Sequence, residues 1–86
     1  MKLDKWQEET TPAKLVRNWK FKNYKQAWVL VNKISEYAEK VNHHPDISFG
    51  WGYLSVSVCS HDKGAITERD YDLAQAIDKL SDDENL

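Results

Sequence analysis

The fold is decided by the stretch YKQAWVLVNKISEYAEKVNHHP, which occupies positions 24–45. Its apolar residues recur at steps of three and four, a spacing that predicts an amphipathic α-helix. These residues are Tyr24, Ala27, Trp28, Val31, Ile34, Tyr37 or Ala38, and Val41. Asn23 precedes the stretch and Gln26 follows three residues later, which is the pattern of a capping box. We therefore expect the helix to begin immediately after Asn23.

The end of this helix is predicted by Pro45. A proline disfavours helical geometry in the residue before it, so the helix should end by about Asn42. The adjacent pair His43 and His44 then falls on the loop that follows the helix. Loops at the ends of rigid elements often carry working side chains.

Segments on both sides of the helix alternate between apolar and polar residues. A period of two predicts half-buried strands. The alternating apolar residues are Leu15, Trp19 and Phe21 before the helix, and Ile47, Phe49, Trp51, Leu54, Val56 and Val58 after it. Arg17 is the exception on the first apolar face. Gly50 and Gly52 allow a turn, so the second segment should form a hairpin whose last strand runs to about Ser60.

The remaining segments complete a single predicted domain over residues 1–86. Residues 1–12 are interpreted as an irregular or short helical lead-in. Thr67 should cap a last helix, followed by a frayed acidic tail at 81–86. The order strand, helix, strand, strand, helix predicts an α+β two-layer sandwich with an antiparallel sheet and helices packed on one face. Because the other face or an edge strand still needs cover, we expect self-association.

Composition excludes several classes of protein. The chain has 86 residues, a formal net charge of −2 and 41% hydrophobic residues, which suits one globular domain. A weakly acidic balance argues against direct nucleic-acid binding. The single cysteine, Cys59, permits no internal disulfide and fits a cytoplasmic location. The first residues are too polar for a signal peptide, and no apolar run predicts a membrane span.

The histidines His43, His44 and His61 are the strongest chemical signal, since each stands at a predicted end of an element. Imidazoles titrate near neutral pH, so neighbouring histidines can supply an acid and a base. Alternatives stay open. His43 can simply contact the last helix carbonyls, and His61 can end a strand. A zinc site formed by these histidines is a rival interpretation. Adjacent histidines in an extended segment point different ways, however, and we predict no metal.

Two acidic residues also have two interpretations each. Asp70 stands three residues after the predicted cap Thr67, where a carboxylate is favoured by exposed amides, and it could equally orient a histidine. Glu39 is either a solvent-facing charge or a substrate contact. Cys59 is interpreted as a packing residue rather than a nucleophile.

The run EKVNHHPD at 39–46 resembles the signature of the pterin-4a-carbinolamine dehydratase family. Trp51, His61 and Asp70 match the later aromatic, histidine and aspartate of that signature. The run SHDKGAITERD at 60–70 is similar to the family's loop and helix start, and the arginine and aromatics before the helix follow its pattern loosely. The resemblance covers about residues 15–80.

This resemblance implies a hydro-lyase without a cofactor. Family members convert 4a-hydroxytetrahydropterin to quinonoid dihydropterin in tetrahydrobiopterin recycling. The implied catalytic residues are His43, His44, His61 and Asp70. The implied substrate-binding residues are Glu39, His43, His44, Pro45, Ser60, His61, Asp62 and Lys63. We expect His44 and His61 to handle protons and His43 to help position the pterin.

The family also implies other roles and an oligomer. Its members form dimers or tetramers, so we expect a homodimer or homotetramer. One member serves as a dimerisation cofactor for a homeodomain transcription factor, so a coactivator-type binding protein is the alternative. A pterin-binding accessory protein for a different pterin is a further one. Ile47 and Ser48 replace bulkier or aromatic residues of relatives, and the lead-in is shorter than in many members.

Overall fold

The computed structural model describes residues 3–60 and 62–83, and within them the chain forms four strands and two helices. The elements are β1 (Gln7–Thr10), β2 (Ala13–Lys20), α1 (Tyr24–Val41), β3 (Asp46–Gly50), β4 (Tyr53–Val58) and α2 (Glu68–Asp83). Every strand pair is antiparallel, and the strands lie in the order β1-β2-β4-β3. The predicted α+β class is confirmed.

Both helices pack on one face of the sheet, where the core lies. Alternate residues of β2 and β4 are buried there. The core residues are Trp6, Leu15, Trp19, Leu30, Ile34, Leu54, Val56, Val58, Leu73, Ala74 and Ile77. The other face presents partly exposed residues of the same strands, among them Val16, Ser55 and Ser57. No helix of the described residues covers that face, as the two-layer prediction required.

Helix α1 begins and ends at local signals in the sequence. The Asn23 side chain accepts a hydrogen bond from the Gln26 N–H at 2.9 Å, so Asn23 is the predicted cap. At the other end Asn42 adopts the left-handed conformation with φ 55°. The N–H groups of Asn42 and His43 both donate to the Ala38 carbonyl. This ending turns the chain sharply and fixes the backbone of His43 to the helix.

The lead-in prediction was wrong, because part of it is a strand. Residues Gln7–Thr10 form β1, which pairs with β2 across the connection Thr11–Pro12. All residues of β1 are exposed, so its sequence has no apolar alternation that could have revealed it. Pairing with β2 selects the strand instead. Trp6, immediately before β1, is buried in the core.

The predicted frayed tail was wrong at its beginning. Helix α2 continues to Asp83, and Ser81 is buried. The Ser81 hydroxyl accepts a hydrogen bond from Trp19 Nε1 at 2.9 Å. A tertiary contact with the sheet therefore extends a helix whose local sequence is only polar. Residues 84–86 lie outside the described residues.

One part of the predicted helix stripe also needs correction. Trp28 is 49% exposed, whereas Leu30 is completely buried. The buried face of α1 consists of Ala27, Leu30, Ile34 and Ala38. The stripe is therefore rotated slightly away from the one that the spacing predicted.

Arg17, the exception on the apolar face of β2, is buried with compensating partners. Its guanidinium forms an ion pair with Asp78 of α2 and lies 4.2 Å from the centroid of the Trp19 ring. Trp6 Nε1 donates to the same Asp78 carboxylate at 2.8 Å. These contacts satisfy a charge that would otherwise be costly to bury, and they fasten α2 to the sheet.

Candidate active site

The end of α1 and the first turn of α2 bring His43 and Asp70 into contact. His43 Nε2 lies 2.6 Å from Asp70 Oδ1. The His43 side chain is 11% exposed and the Asp70 side chain is completely buried. The nearly buried imidazole of His43 is thus in contact with a completely buried carboxylate.

Asp70 is held by groups on its other oxygen as well. Its Oδ2 accepts hydrogen bonds from the Thr67 N–H at 2.7 Å and from the Ser60 hydroxyl at 2.9 Å. Burial is the largest influence and raises the pKa of Asp70, but the hydrogen bonds from Thr67, His43 and Ser60 together hold that pKa below its ordinary value. Asp70 is therefore ionised at neutral pH. Both predicted roles coexist geometrically, since the carboxylate caps α2 and contacts a histidine.

The contact with Arg69 indicates which nitrogen of His43 carries the proton. Arg69 Nη2 lies 3.1 Å from His43 Nδ1. A guanidinium only donates hydrogen bonds, so Nδ1 must accept, and the ring proton is on Nε2, where it is donated to Asp70. A role was predicted from the sequence for Asp70 but not for Arg69. The available signal was position, because Arg69 directly precedes Asp70 in the first turn of α2.

His44 and Glu39 form a second imidazole–carboxylate pair. His44 Nε2 is hydrogen-bonded to Glu39 Oε2 across the end of α1. Both side chains are largely exposed, at 52% for His44 and 78% for Glu39. Glu39 is therefore a solvent-exposed charge that contacts His44 and does not line the cleft, and its role toward a substrate stays a prediction.

A cleft of about 340 Å³, the histidine cleft, lies against these groups. Its lining residues are Asn42, His43, His44, Cys59, Ser60, Asp62 and Arg69. It thus brings together four of the predicted site residues. Pro45 and Lys63 are not among the lining residues, although each neighbours one in sequence. His61 lies outside the described residues, so its predicted place in the site is not described.

Ser60 serves the site from beneath the cleft. It is 2% exposed, and its hydroxyl contacts Thr67 Oγ1 at 2.8 Å as well as Asp70. The Ser60 carbonyl accepts hydrogen bonds from the N–H groups of Lys63 and Gly64, each at 3.0 Å. Gly64 has φ 63°, a conformation that residues with a Cβ atom rarely adopt. These hydrogen bonds form a tight turn before α2, whose first turn lies against the end of α1.

A comparison with known proteins identifies the family. The family model described as pterin 4 alpha carbinolamine dehydratase matches residues 1–80. The chain belongs to the pterin-4a-carbinolamine dehydratase family. A relative from Paracoccus denitrificans, provisionally assigned as such a dehydratase, is 41% identical over 76 residues, which are 88% of this chain and 71% of the relative. A similarly assigned relative from Picosynechococcus is 43% identical over 67 residues, 78% of this chain and 73% of its own.

Solved structures of the family have the same fold. A structure described as a transcriptional coactivator/pterin dehydratase from Brucella melitensis matches with a TM-score of 0.85 and 28% identity, covering 92% of this chain and 84% of its own. A pterin dehydratase-like protein described as a RuBisCO assembly factor in the alpha-carboxysome matches with a TM-score of 0.76. It is 23% identical and covers 88% of each chain, so it supports the fold alone.

The aromatic residue that matched the family signature, Trp51, is not part of the histidine cleft. It is 73% exposed and lines a different cleft with Tyr24 and Trp28, at the beginning of α1. His43 follows the other end of that helix, which at 18 residues is roughly 27 Å long. Sequence spacing along a signature therefore did not predict proximity in space.

Cys59 lines the histidine cleft, and its surroundings favour the protonated thiol. Burial has the largest effect on the pKa of Cys59 and raises it. The negative charges of Asp46 and Asp70 raise this pKa further, and the positive charge of Lys14 lowers it. A thiol that keeps its proton at neutral pH is a poor nucleophile. This agrees with the interpretation of Cys59 as a packing residue.

No three histidine, cysteine or acidic side chains within residues 3–60 and 62–83 are grouped as a metal-ligand set. Neither helix in this part of the chain has the length and apolarity needed to cross a membrane. The predictions of no metal and no cofactor stay predictions.

Proposed function

We propose that the chain dehydrates 4a-hydroxytetrahydropterin to quinonoid dihydropterin. In this reaction the C4a–O bond breaks and the hydroxyl leaves as water after taking up a proton. N5 loses its proton, and its electron pair forms the C4a=N5 double bond, so the net change is loss of one water. The observation that carries the proposal is the contact of His43 with the buried carboxylate of Asp70 at the cleft wall.

His43 is suited to accept the proton from N5. Its Nε2–H is held by Asp70, and its Nδ1 has a lone pair, as required by the contact with Arg69. An ionised carboxylate behind the ring stabilises the positive charge that the ring gains when it takes a proton. This assignment differs from the expectation from sequence, in which His43 only positions the pterin.

His44 is suited to deliver the proton to the departing hydroxyl. It lines the same cleft as His43, and its Nε2 is hydrogen-bonded to the carboxylate of Glu39. Two imidazoles in different protonation states provide the acid and the base that the dehydration needs. We retain His61 in the proposed catalytic set with His43, His44 and Asp70.

Substrate binding is proposed for the loops around the cleft. Asp62 and Ser60 line it, and Glu39, Pro45 and Lys63 stand next to lining residues in the chain or in space. Backbone groups of these loops would hydrogen-bond the amide edge of the pterin. Ser60 contributes mainly by holding Asp70, since its side chain is buried.

The proposal includes the setting of the enzyme. No cofactor takes part, the location is cytoplasmic, and the chain forms a homodimer or homotetramer whose partner covers sheet surface that the helices leave open. A coactivator-type binding role is the second candidate, favoured by the description of the Brucella melitensis relative. That role would not depend on the contact between His43 and Asp70.

The test is the stopped-flow rate of quinonoid dihydropterin formation with wild type, His44→Ala and the control Lys40→Ala. Wild type should accelerate the reaction, and His44→Ala should reduce turnover by about 10²-fold or more while thermal stability stays nearly unchanged, because the His44 side chain is exposed. Lys40 is an exposed residue on the last turn of α1 and should be replaceable without effect. No acceleration by folded wild type would favour the binding role.

A further inference from the structure

We propose that Arg69 is a positioning residue that keeps His43 Nδ1 unprotonated and directed into the cleft until substrate arrives. The inference rests on the proposed function, because it concerns the base of that reaction. Its structural part, the hold of Arg69 on the ring, can be measured without any substrate.

Consecutive residues of α2 hold both nitrogens of one imidazole. Arg69 donates to Nδ1 at 3.1 Å, and Asp70 accepts from Nε2 at 2.6 Å. Because arginine has no acceptor, the first contact exists only while Nδ1 carries a lone pair. Because Asp70 is ionised, the second contact exists only while Nε2 carries a proton. Together they are compatible with one form of His43, the neutral ring protonated at Nε2.

Arg69 is placed so that a substrate can replace it. The side chain of Arg69 is exposed and lines the histidine cleft, whereas Asp70 is completely buried and out of reach of a substrate. The guanidinium occupies the position from which a substrate N–H would donate to Nδ1. When the pterin N5–H takes that position, the ring of His43 need not turn, since Nδ1 is already an acceptor. Such preorganisation removes the cost of reorienting the base during the reaction.

A second cleft offers space for a displaced guanidinium. This cleft of about 220 Å³ is lined by both His43 and Arg69. Its remaining lining residues are Tyr37, Val41, Asp72 and Leu73. The carboxylate of Asp72 provides an acceptor for the arginine there. Arg69 and His43 thus line both clefts.

The variants Arg69→Met and Arg69→Lys test this role. Methionine keeps an unbranched stem but has no donor, whereas lysine keeps a donor. Arg69→Met should lower kcat roughly tenfold, the scale of losing a group that orients a working imidazole, with little change in KM. Arg69→Lys should recover part of the loss. Lys79→Met is the matched control, because Lys79 is an exposed base on α2 that lines neither cleft.

The deciding measurement is the ¹⁵N spectrum of the His43 ring at neutral pH in the absence of substrate. Wild type should show a protonated Nε2 and an unprotonated, hydrogen-bonded Nδ1. The Nδ1 signal should move in Arg69→Met, return toward the wild-type position in Arg69→Lys, and stay unchanged in Lys79→Met. A proton on Nδ1 in wild type, or the same Nδ1 signal in Arg69→Met, would overturn the inference.

Activity separates this inference from the proposed function. A shifted Nδ1 signal with unchanged kcat in Arg69→Met would overturn the role of Arg69 in the reaction. A wild-type protein that shows the expected spectra but dehydrates no pterin would overturn the proposed function, while the hold of Arg69 on His43 would stand.

Discussion

His43 and Asp70 are 27 positions apart in the chain, yet His43 Nε2 lies 2.6 Å from Asp70 Oδ1. The contact joins the residue just beyond α1 to the first turn of α2. Asp70 also accepts the N–H of Thr67, so one carboxylate both caps a helix and holds a catalytic candidate. A change at Asp70 should therefore lower both stability and turnover, whereas a change at Asp78 should lower stability alone.

The variant Asp70→Asn should lose activity and stability. An asparagine amide turned toward His43 would set a donor against the Nε2–H, and turned the other way it would set that donor against the Thr67 N–H. We expect turnover to fall by about 10²-fold or more and the free energy of unfolding to fall by about 1–3 kcal/mol. Stopped-flow assays and urea unfolding measure these effects. Wild-type turnover in a folded Asp70→Asn variant would remove Asp70 from the mechanism.

Asp70 should also make stability depend on pH in the acid range. Its pKa in the folded protein lies below its ordinary value of about 3.9, so the unfolded chain binds the proton more readily. The stabilisation is therefore fully present above that ordinary value and is lost as pH falls through the folded pKa. Urea unfolding of wild type between about pH 6 and pH 2 should show this loss. The decline should be shallower in Asp70→Asn, and equal slopes would contradict the prediction.

The variant Ser60→Ala should weaken the support of Asp70. It removes a buried hydroxyl that donates to Oδ2 at 2.9 Å, and hydrogen bonds to charged groups contribute about 1.5–3 kcal/mol. We expect the free energy of unfolding to fall by that amount and turnover to fall modestly, because His43 keeps its partner. Ser57→Ala is the control, since Ser57 lies on the sheet face without helices. A larger stability loss in the control would show that Asp70 is not the cause.

The variant Asp78→Asn should lose stability without losing chemistry. It removes the charge that compensates the buried guanidinium of Arg17, and because Asp78 itself is only partly buried we expect a loss of about 1–3 kcal/mol. Asp78 is not among the residues that line the histidine cleft. Urea unfolding should therefore show the loss, while kcat/KM of the folded variant stays at the wild-type value. A fall in kcat/KM comparable to that of Asp70→Asn would contradict the separation of the two networks.

Sequence patterns predicted the elements whose signals are local. Helix α1 was predicted from apolar steps of three and four, and its ends from Asn23 and Pro45, because a cap and a proline act on the nearest backbone groups. Strand β1 was missed, since an exposed edge strand has no apolar face to alternate. Its pairing partner lies elsewhere in the chain, and a hydrogen-bonded ladder leaves no mark on a strand that buries no side chains.

The candidate site was predicted as a set of residues and not as an arrangement. The resemblance to the family named His43, His44 and Asp70, and the structure describes all three around one cleft or beneath it. Trp51 came from the same signature but lies at the opposite end of α1. Arg69 was overlooked, because its position directly before Asp70 does not by itself distinguish an arginine that contacts an imidazole from one in solvent.

The sequence by itself determined the fold class, the family and the residues that can do the chemistry. These depend on periodicity, on caps and on residue identity, all of which are properties of neighbouring positions. Only the tertiary structure decided that Asp70 is buried and ionised, and that the two nitrogens of His43 contact Asp70 and Arg69. Protonation and orientation depend on burial and on donors brought from distant segments, and those exist only after the end of α1 has packed against the start of α2.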